Sequence, residues 1–168
     1  MPTEFPICIH ATTIALDGHA AIIRGASGLG KSDLALRCMA SAPNGLIDGS
    51  VKLIADDYTE LFDEAGKLHA RSPENIKNLM EIRGLGLFQI EAEPRAQVSL
   101  IVDLVPATDI ERLPDPDAET SIAGFNVPAI CLDAFEASAP IKLLLVLNSL
   151  RQSGTMPKIT KPDPPSRL

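Results

Sequence analysis

Apolar residues in this chain come in short runs separated by turn-forming residues, a pattern of strands and compact helices rather than of long helical stripes. Ala20 to Arg24 (AAIIR) predicts a strand that stops at a glycine. Directly after it, Leu34, Ala35, Cys38 and Met39 fall at helical spacing within Asp33 to Ala40, so the unit reads strand, loop, helix. Val51 to Ala55 (VKLIA) predicts a buried strand ending at the acidic pair Asp56 and Asp57. Tyr58 to Phe62 continues as strand, turns around Gly66, and returns through Leu68 to Arg71 as a hairpin. Asn75 to Ile82 reads as a short helix or loop. Gln97 to Val105 (QVSLIVDLV) is the clearest β run, β-branched and apolar enough to lie near the centre of a sheet. The proline-rich, acidic stretch Pro106 to Thr120 predicts a loop, Val127 to Leu132 a last strand, and Ala137 to Leu150 a helix in which Ile141, Leu144, Leu145 and Leu147 are apolar. Prolines from Met156 onward predict an extended or disordered tail over 156–168. The sum is an α/β domain with a mixed sheet, one unit over residues 1–155, without internal repeats.

Bulk properties narrow the classes. A chain of 168 residues holds one full hydrophobic core and is short for two. Its 45% hydrophobic and 22% charged residues are an ordinary globular mixture. The apolar runs fall far short of the ~20 residues a spanning helix needs, and no basic region followed by an apolar one opens the chain. A cytoplasmic location is expected. Net charge of −7, with no Lys/Arg cluster to offset it, argues against a nucleic-acid surface. Cys8, Cys38 and Cys131 sit among apolar neighbours without metal-ligand spacing and read as reduced core thiols.

The chemistry concentrates between the first strand and its helix. Gly25, Ala26, Ser27, Gly28, Leu29, Gly30, Lys31 and Ser32 match G-x-x-x-x-G-K-[ST], in the strand-to-helix context that gives this pattern its meaning. Glycines let backbone N–H groups close around a phosphate, and a helix start adds unpaired N–H groups and its positive dipole end. Lys31 is then placed for the β- and γ-phosphates and the Ser32 hydroxyl for Mg²⁺. A plain glycine turn with Ser32 as helix cap would account for the cap but not for the lysine. Asp56 and Asp57 end a strand where a carboxylate beside such a loop is needed, one near the metal and one as base on an acceptor hydroxyl. By themselves they also suit a solvated strand-ending turn. In Met80 to Ile90 (MEIRGLGLFQI), Glu81 and Arg83 alternate along an extended segment. On spacing alone they suit either a surface ion pair or a carboxylate for Mg²⁺ and an arginine for transferring phosphate.

Taken in order, IHATTIAL, GASGLGKSDLAL, LIADD and EIRGLGLFQI resemble the catalytic, C-terminal domain of the HPr kinase/phosphorylase family, over about His10 to Leu150. The resemblance implies a P-loop fold like that of phosphoenolpyruvate carboxykinase. It implies ATP- and Mg²⁺-dependent phosphorylation of a serine on the carrier protein HPr, with phosphate-driven dephosphorylation releasing pyrophosphate at the same site. Residue by residue, it implies that His10 and Lys31 line the site, that Ser32 and Glu81 bind Mg²⁺, and that Asp57 accepts the serine proton and returns it in reverse. Asp56 becomes its helper near the metal. IERL resembles the segment that supplies a catalytic arginine, here Arg112. A hexamer is implied as well.

Three departures bear on these expectations. The chain begins almost at the catalytic domain, as in the short form found in alphaproteobacteria. No arginine-bearing PVRPGR-type stretch precedes the last helix, where CLDAFEASAPIK stands instead, which weakens the expectation of the reverse reaction. Asp33 replaces a customary glutamate. Two other readings stay open on the sequence: a small-molecule P-loop kinase, for which Arg71, Arg83, Arg95 and Arg112 are too scattered to form a lid, and a nucleotide-gated module that binds the carrier without transfer.

Overall fold

A computed structural model describes residues 4–158. In chain order the elements are β1 (Ile7–His10), β2 (Thr12–Leu16), β3 (His19–Arg24), α1 (Lys31–Ser41), β4 (Val51–Ala55), β5 (Tyr58–Glu64), β6 (Lys67–Arg71), β7 (Leu79–Ile82), β8 (Gly86–Gln89), β9 (Ala96–Leu104), β10 (Glu119–Ile122), β11 (Phe125–Leu132) and α2 (Ala139–Ser153). Nine strands form one mixed sheet in the order β1-β5-β6-β9-β3-β2-β4, and β11 with β10 branches from β9. Strand β9 runs parallel to β3 and to β11; the other pairings are antiparallel. It carries β3 along one side and shares its other side between β6 and β11, which makes it the hub its composition predicts.

Period-two alternation divides the sheet residues between two cores. On one face Ile14, Leu16, Ala21, Ile23, Leu53, Leu100 and Val102 meet Leu34, Ala35 and Cys38 of α1 and Leu143, Leu144 and Leu147 of α2. Both helices lie on this face. On the other, Ala20, Ile22, Ile54 and Ile101 meet Leu61, Leu68 and Ala70 of β5 and β6. Strands β5 and β6 touch β4 although β9, β3 and β2 separate them in the sheet, so the sheet curls over its own second core.

Several expectations shift. Strand β2 (TTIAL), for which the sequence predicts no element, is buried along its whole length, its two threonines included, because their hydroxyls bond to Asp56 and Thr59 across the curl. Part of the expected loop Pro106 to Thr120 is strand, since β10 pairs with β11 from Glu119 onward. The expected short helix or loop at Asn75 to Ile82 is one 3₁₀ turn, Glu74–Ile76, followed by β7, which forms a separate hairpin with β8. Cys38 is a core thiol as expected, whereas Cys8 and Cys131 are exposed: they occupy strand positions whose side chains face away from both cores. Of the expected tail, Met156 packs on the helix-side core, and 159–168 lie outside the described residues. Among the described residues, no helix is long and apolar enough to cross a membrane.

Candidate active site

Strand β4 is antiparallel to β2 and β2 to β3, so β4 points the same way as β3, β9 and β11. The carboxyl ends of all four reach one edge, where open α/β sheets bind ligands. A cleft of about 470 Å³ opens there, lined among others by Ser27, Gly28, Gly30, Lys31, Ser32, His10, Asp56, Asp57, Glu81 and Arg83.

The loop after β3 is built as a cradle. Gly28 (φ +85°) and Gly30 (φ +87°) both adopt the left-handed conformation that side chains disfavour, and a Cβ at Gly28 would project into open space. Helix α1 starts at Lys31 with Gly30 as its cap and no side-chain cap bond, so Ser32 is not the capping residue a plain turn would require. The first helical N–H groups are left without a capping oxygen at the cleft. Lys31 is 8% exposed, and its Nζ donates to the carbonyls of Gly25 (2.8 Å) and Ala26 (3.2 Å). Among the described residues it has no carboxylate partner. A buried cation without a counter-ion is costly unless an anion joins it, which is how a phosphate fits here.

Asp56 organises the opposite wall. It is 6% exposed; its Oδ1 accepts from the Thr12 hydroxyl at 2.8 Å and the Ser32 hydroxyl at 2.6 Å, and its Oδ2 accepts from the Glu81 backbone N–H at 3.1 Å. One carboxylate thus ties β2, α1 and β7 together. Because the Ser32 proton points to Asp56, its lone pairs are left for a cation. Ser32, Asp56 and Glu81 give a hard oxygen donor set that suits Mg²⁺, with phosphate oxygens completing the shell. Among the described residues there is no group of three or more His, Cys, Asp or Glu side chains able to hold a metal unaided.

Asp57 differs from its neighbour in every respect. It is exposed, and its Oδ1 lies 2.9 Å from His10 Nε2 on the edge strand β1. Its φ of +66° is left-handed, and the Tyr58 N–H closes back onto the Asp56 carbonyl at 2.8 Å, a γ-turn centred on Asp57. The turn aims Asp57 into the cleft while Asp56 is turned into the wall. His10 also packs on Tyr58, ring centroids 5.5 Å apart.

Glu81 and Arg83 both line the cleft, and among the described residues neither forms an ion pair, so the surface-pair alternative fails. Met80, buried in the helix-side core, and the Glu81 N–H bond to Asp56 anchor their hairpin. Gly25, Ala26 and Leu29 shape the loop without lining the cleft: a Cβ at Gly25 would meet Leu104 at 3.1 Å, and the Leu29 N–H closes onto the Ala26 carbonyl. Arg112 is not brought to the cleft. It sits exposed in the irregular segment between β9 and β10. Five lining residues, Thr12, Asp33, Leu36, Ile82 and Phe135, are not candidate site residues on the sequence, and two of them bear on the chemistry. Thr12 hides in an apolar-looking strand, and Phe135 follows β11 in the stretch that replaces the family's arginines.

Comparison with known proteins places the chain in a family. The family model described as "HPr Serine kinase C-terminal domain" matches residues 6–148. The HPr kinase/phosphorylase of Bordetella pertussis is 35% identical over 135 residues, covering 74% of this chain and 41% of the relative. That of Limosilactobacillus reuteri is 33% identical over 160 residues, covering 88% and 45%. The chain therefore spans less than half the length of these curated relatives. The solved HPr(Ser) kinase/phosphatase of Coxiella burnetii superposes with a TM-score of 0.72 at 24% identity, over 88% of this chain and 93% of that one, a likeness of fold. With the matched segment running from β1 into α2 and enclosing the whole cleft, the chain belongs to the HPr serine kinase C-terminal domain family.

Proposed function

We propose that this chain is an ATP- and Mg²⁺-dependent serine kinase acting on an HPr-like phosphocarrier protein. The observation that carries the reading is one cleft holding two opposed parts: Lys31, buried and without a carboxylate, and Asp57, exposed and held 2.9 Å from His10. The first suits the phosphates of a nucleotide; the second suits the hydroxyl that attacks them.

Each residue then has a task. The loop from Gly25 to Ser32 binds the phosphates through backbone N–H groups, and Lys31 exchanges its two loop carbonyls for phosphate oxygens. Ser32 and Glu81 would hold Mg²⁺, whose charge would offset that of the phosphates. Asp56 keeps both ligands in place from behind. Asp57 takes the proton of the acceptor serine, while His10 fixes the carboxylate's orientation. Arg83 supplies positive charge at the transferring phosphate. In the second reaction of the family, which the missing arginine stretch weakens here, inorganic phosphate in place of ADP would attack the phosphoserine phosphorus, the bond from phosphorus to the serine oxygen would break, Asp57 would give its proton to that oxygen, and pyrophosphate would leave. A protein acceptor suits the rim, where Leu85 and Leu87 on the β7–β8 hairpin are 73% and 66% exposed beside the acceptor end. A hexameric assembly and a cytoplasmic location belong to the same reading. Arg112 enters it only if it serves a partner or a neighbouring copy.

The test is to incubate the protein with ATP, Mg²⁺ and the HPr of its own genome, then follow phosphoserine formation and, with phosphate and phosphoserine-HPr, pyrophosphate release. Transfer to the carrier serine is expected. Nucleotide binding with no transfer would leave a binding module, and transfer to a metabolite in place of the carrier would leave a small-molecule kinase.

A further inference from the structure

Phe135 is an oddity that the phosphate chemistry does not use. It lines the cleft yet is 67% exposed, and His10 is the one other aromatic side chain lining it among the described residues. We infer that Phe135 is the platform on which the nucleotide's base stacks, a role that rests on the kinase reading above and names the far end of the same site.

Topology fixes the direction. The phosphate loop leaves β3. Asp56 and Asp57 follow β4, which lies two strands from β3 by way of β2, whereas Phe135 follows β11, two strands from β3 on the other side by way of β9. Each step is about 4.8 Å, so the strand ends that carry the two groups lie about 10 Å from the end of β3 on opposite sides of it. A triphosphate held by Gly28 to Ser32 with its terminal phosphate toward Asp57 directs its other end toward Phe135.

The ring is also held ready. Phe135 N–H donates to Asp133 Oδ1 at 3.0 Å and Glu136 N–H to the Asp133 carbonyl at 3.2 Å, so the turn is closed locally. Ala134 is buried, and its carbonyl accepts from the Arg37 guanidinium, which is itself paired with Asp33 at 2.9 Å. A Cβ at Gly30 would lie 3.2 Å from the ring, so the glycine that shapes the phosphate loop also admits Phe135 beside it. An aromatic side chain fixed in the open by a buried turn is preorganised for a flat apolar partner. Stacking uses the π-face that every base offers, so the platform discriminates weakly between bases.

The test uses the full chain and reads binding alone. Wild type, Phe135→Ala and Phe135→Tyr are titrated by calorimetry with ATP, GTP and inorganic tripolyphosphate, each with Mg²⁺. Removal of one base–aromatic stack is expected to weaken ATP and GTP about 5- to 150-fold, by similar factors, to leave tripolyphosphate unchanged, and to be rescued by tyrosine. Unchanged ATP affinity in Phe135→Ala would overturn the inference. So would an equal loss for ATP and tripolyphosphate, which would make the ring a mere prop for Gly30. A wild-type protein that binds neither would overturn the kinase reading itself, a result distinct from both.

Discussion

Asp57 lets catalysis and stability be pulled apart at one position. Its φ of +66° at the centre of a γ-turn is a conformation in which a Cβ costs about 1–2 kcal/mol, less for aspartate than for alanine. Glycine removes that strain and loosens the unfolded chain by about 0.4–1 kcal/mol. Both backbone bonds at the turn, Tyr58 N–H to the Asp56 carbonyl and Ala11 N–H to the Asp57 carbonyl, survive any substitution, and the side chain's one partner is the exposed His10. Asp57→Gly is therefore expected to be more stable than Asp57→Ala by about 1 kcal/mol, the reverse of the usual glycine penalty. In a domain of this size that is about 2–4 °C in Tm. On the proposed kinase reading, Asp57→Asn keeps the turn and loses the base, so the transfer rate should fall by about 10²–10⁴ with Tm little changed. Thermal unfolding of the three variants, run beside phosphotransfer to HPr, measures both effects. An alanine variant as stable as the glycine one would refute the strained turn, and a fully active Asp57→Asn would move the base to another residue.

Further outcomes follow from the same geometry. Lys31→Met replaces a buried, unpaired cation with an apolar chain of similar shape, so stability should change by less than about 1 kcal/mol while nucleotide binding is lost; unfolding curves and a nucleotide titration check the pair. Thr12→Val removes a buried donor from Asp56, at a cost of about 1–3 kcal/mol, and should raise the Mg²⁺ concentration needed for half-maximal transfer, whereas Thr12→Ser should not. An unchanged Mg²⁺ dependence in folded Thr12→Val would count against Asp56 as the support of Ser32. Burial pushes the Cys38 thiol up to about 12 and also raises the exposed Cys131, chiefly by desolvation with Asp103 and Glu111 adding to it. At pH 8 a thiol reagent should therefore take Cys8 first, Cys131 more slowly, and Cys38 only on unfolding, since burial both hides that thiol and keeps it protonated; time-resolved labelling with mass readout orders the three.

What the chain decided by itself is local. The loop from Gly25 to Ser32 is legible because its chemistry depends on neighbours in sequence: glycines that allow positive φ, a strand before and a helix start after. The β9 run and the Gly66 hairpin are legible for the same reason. Asp57 and Glu81 are legible as candidates because they belong to contiguous motifs.

What the tertiary structure decided lies between segments far apart in the chain. Nothing in the sequence around Thr12 marks it for the site; the curl of the sheet sets its hydroxyl 2.8 Å from Asp56, 44 positions away. Which aspartate faces the wall and which faces the cleft is settled by those donors and by one γ-turn, since the two letters are identical. Cys8 and Cys131 have apolar neighbours in sequence but sit on strand positions that no core covers, and Arg112 matches a motif loosely on a segment that never reaches the cleft. Phe135 stands 105 positions from Gly30, in a stretch remarkable in the sequence only for the arginines it lacks; the branching of β11 from β9 sets its ring against the phosphate loop. Strand order does this work, because it chooses which loops share an edge, and no local pattern of residues encodes that choice.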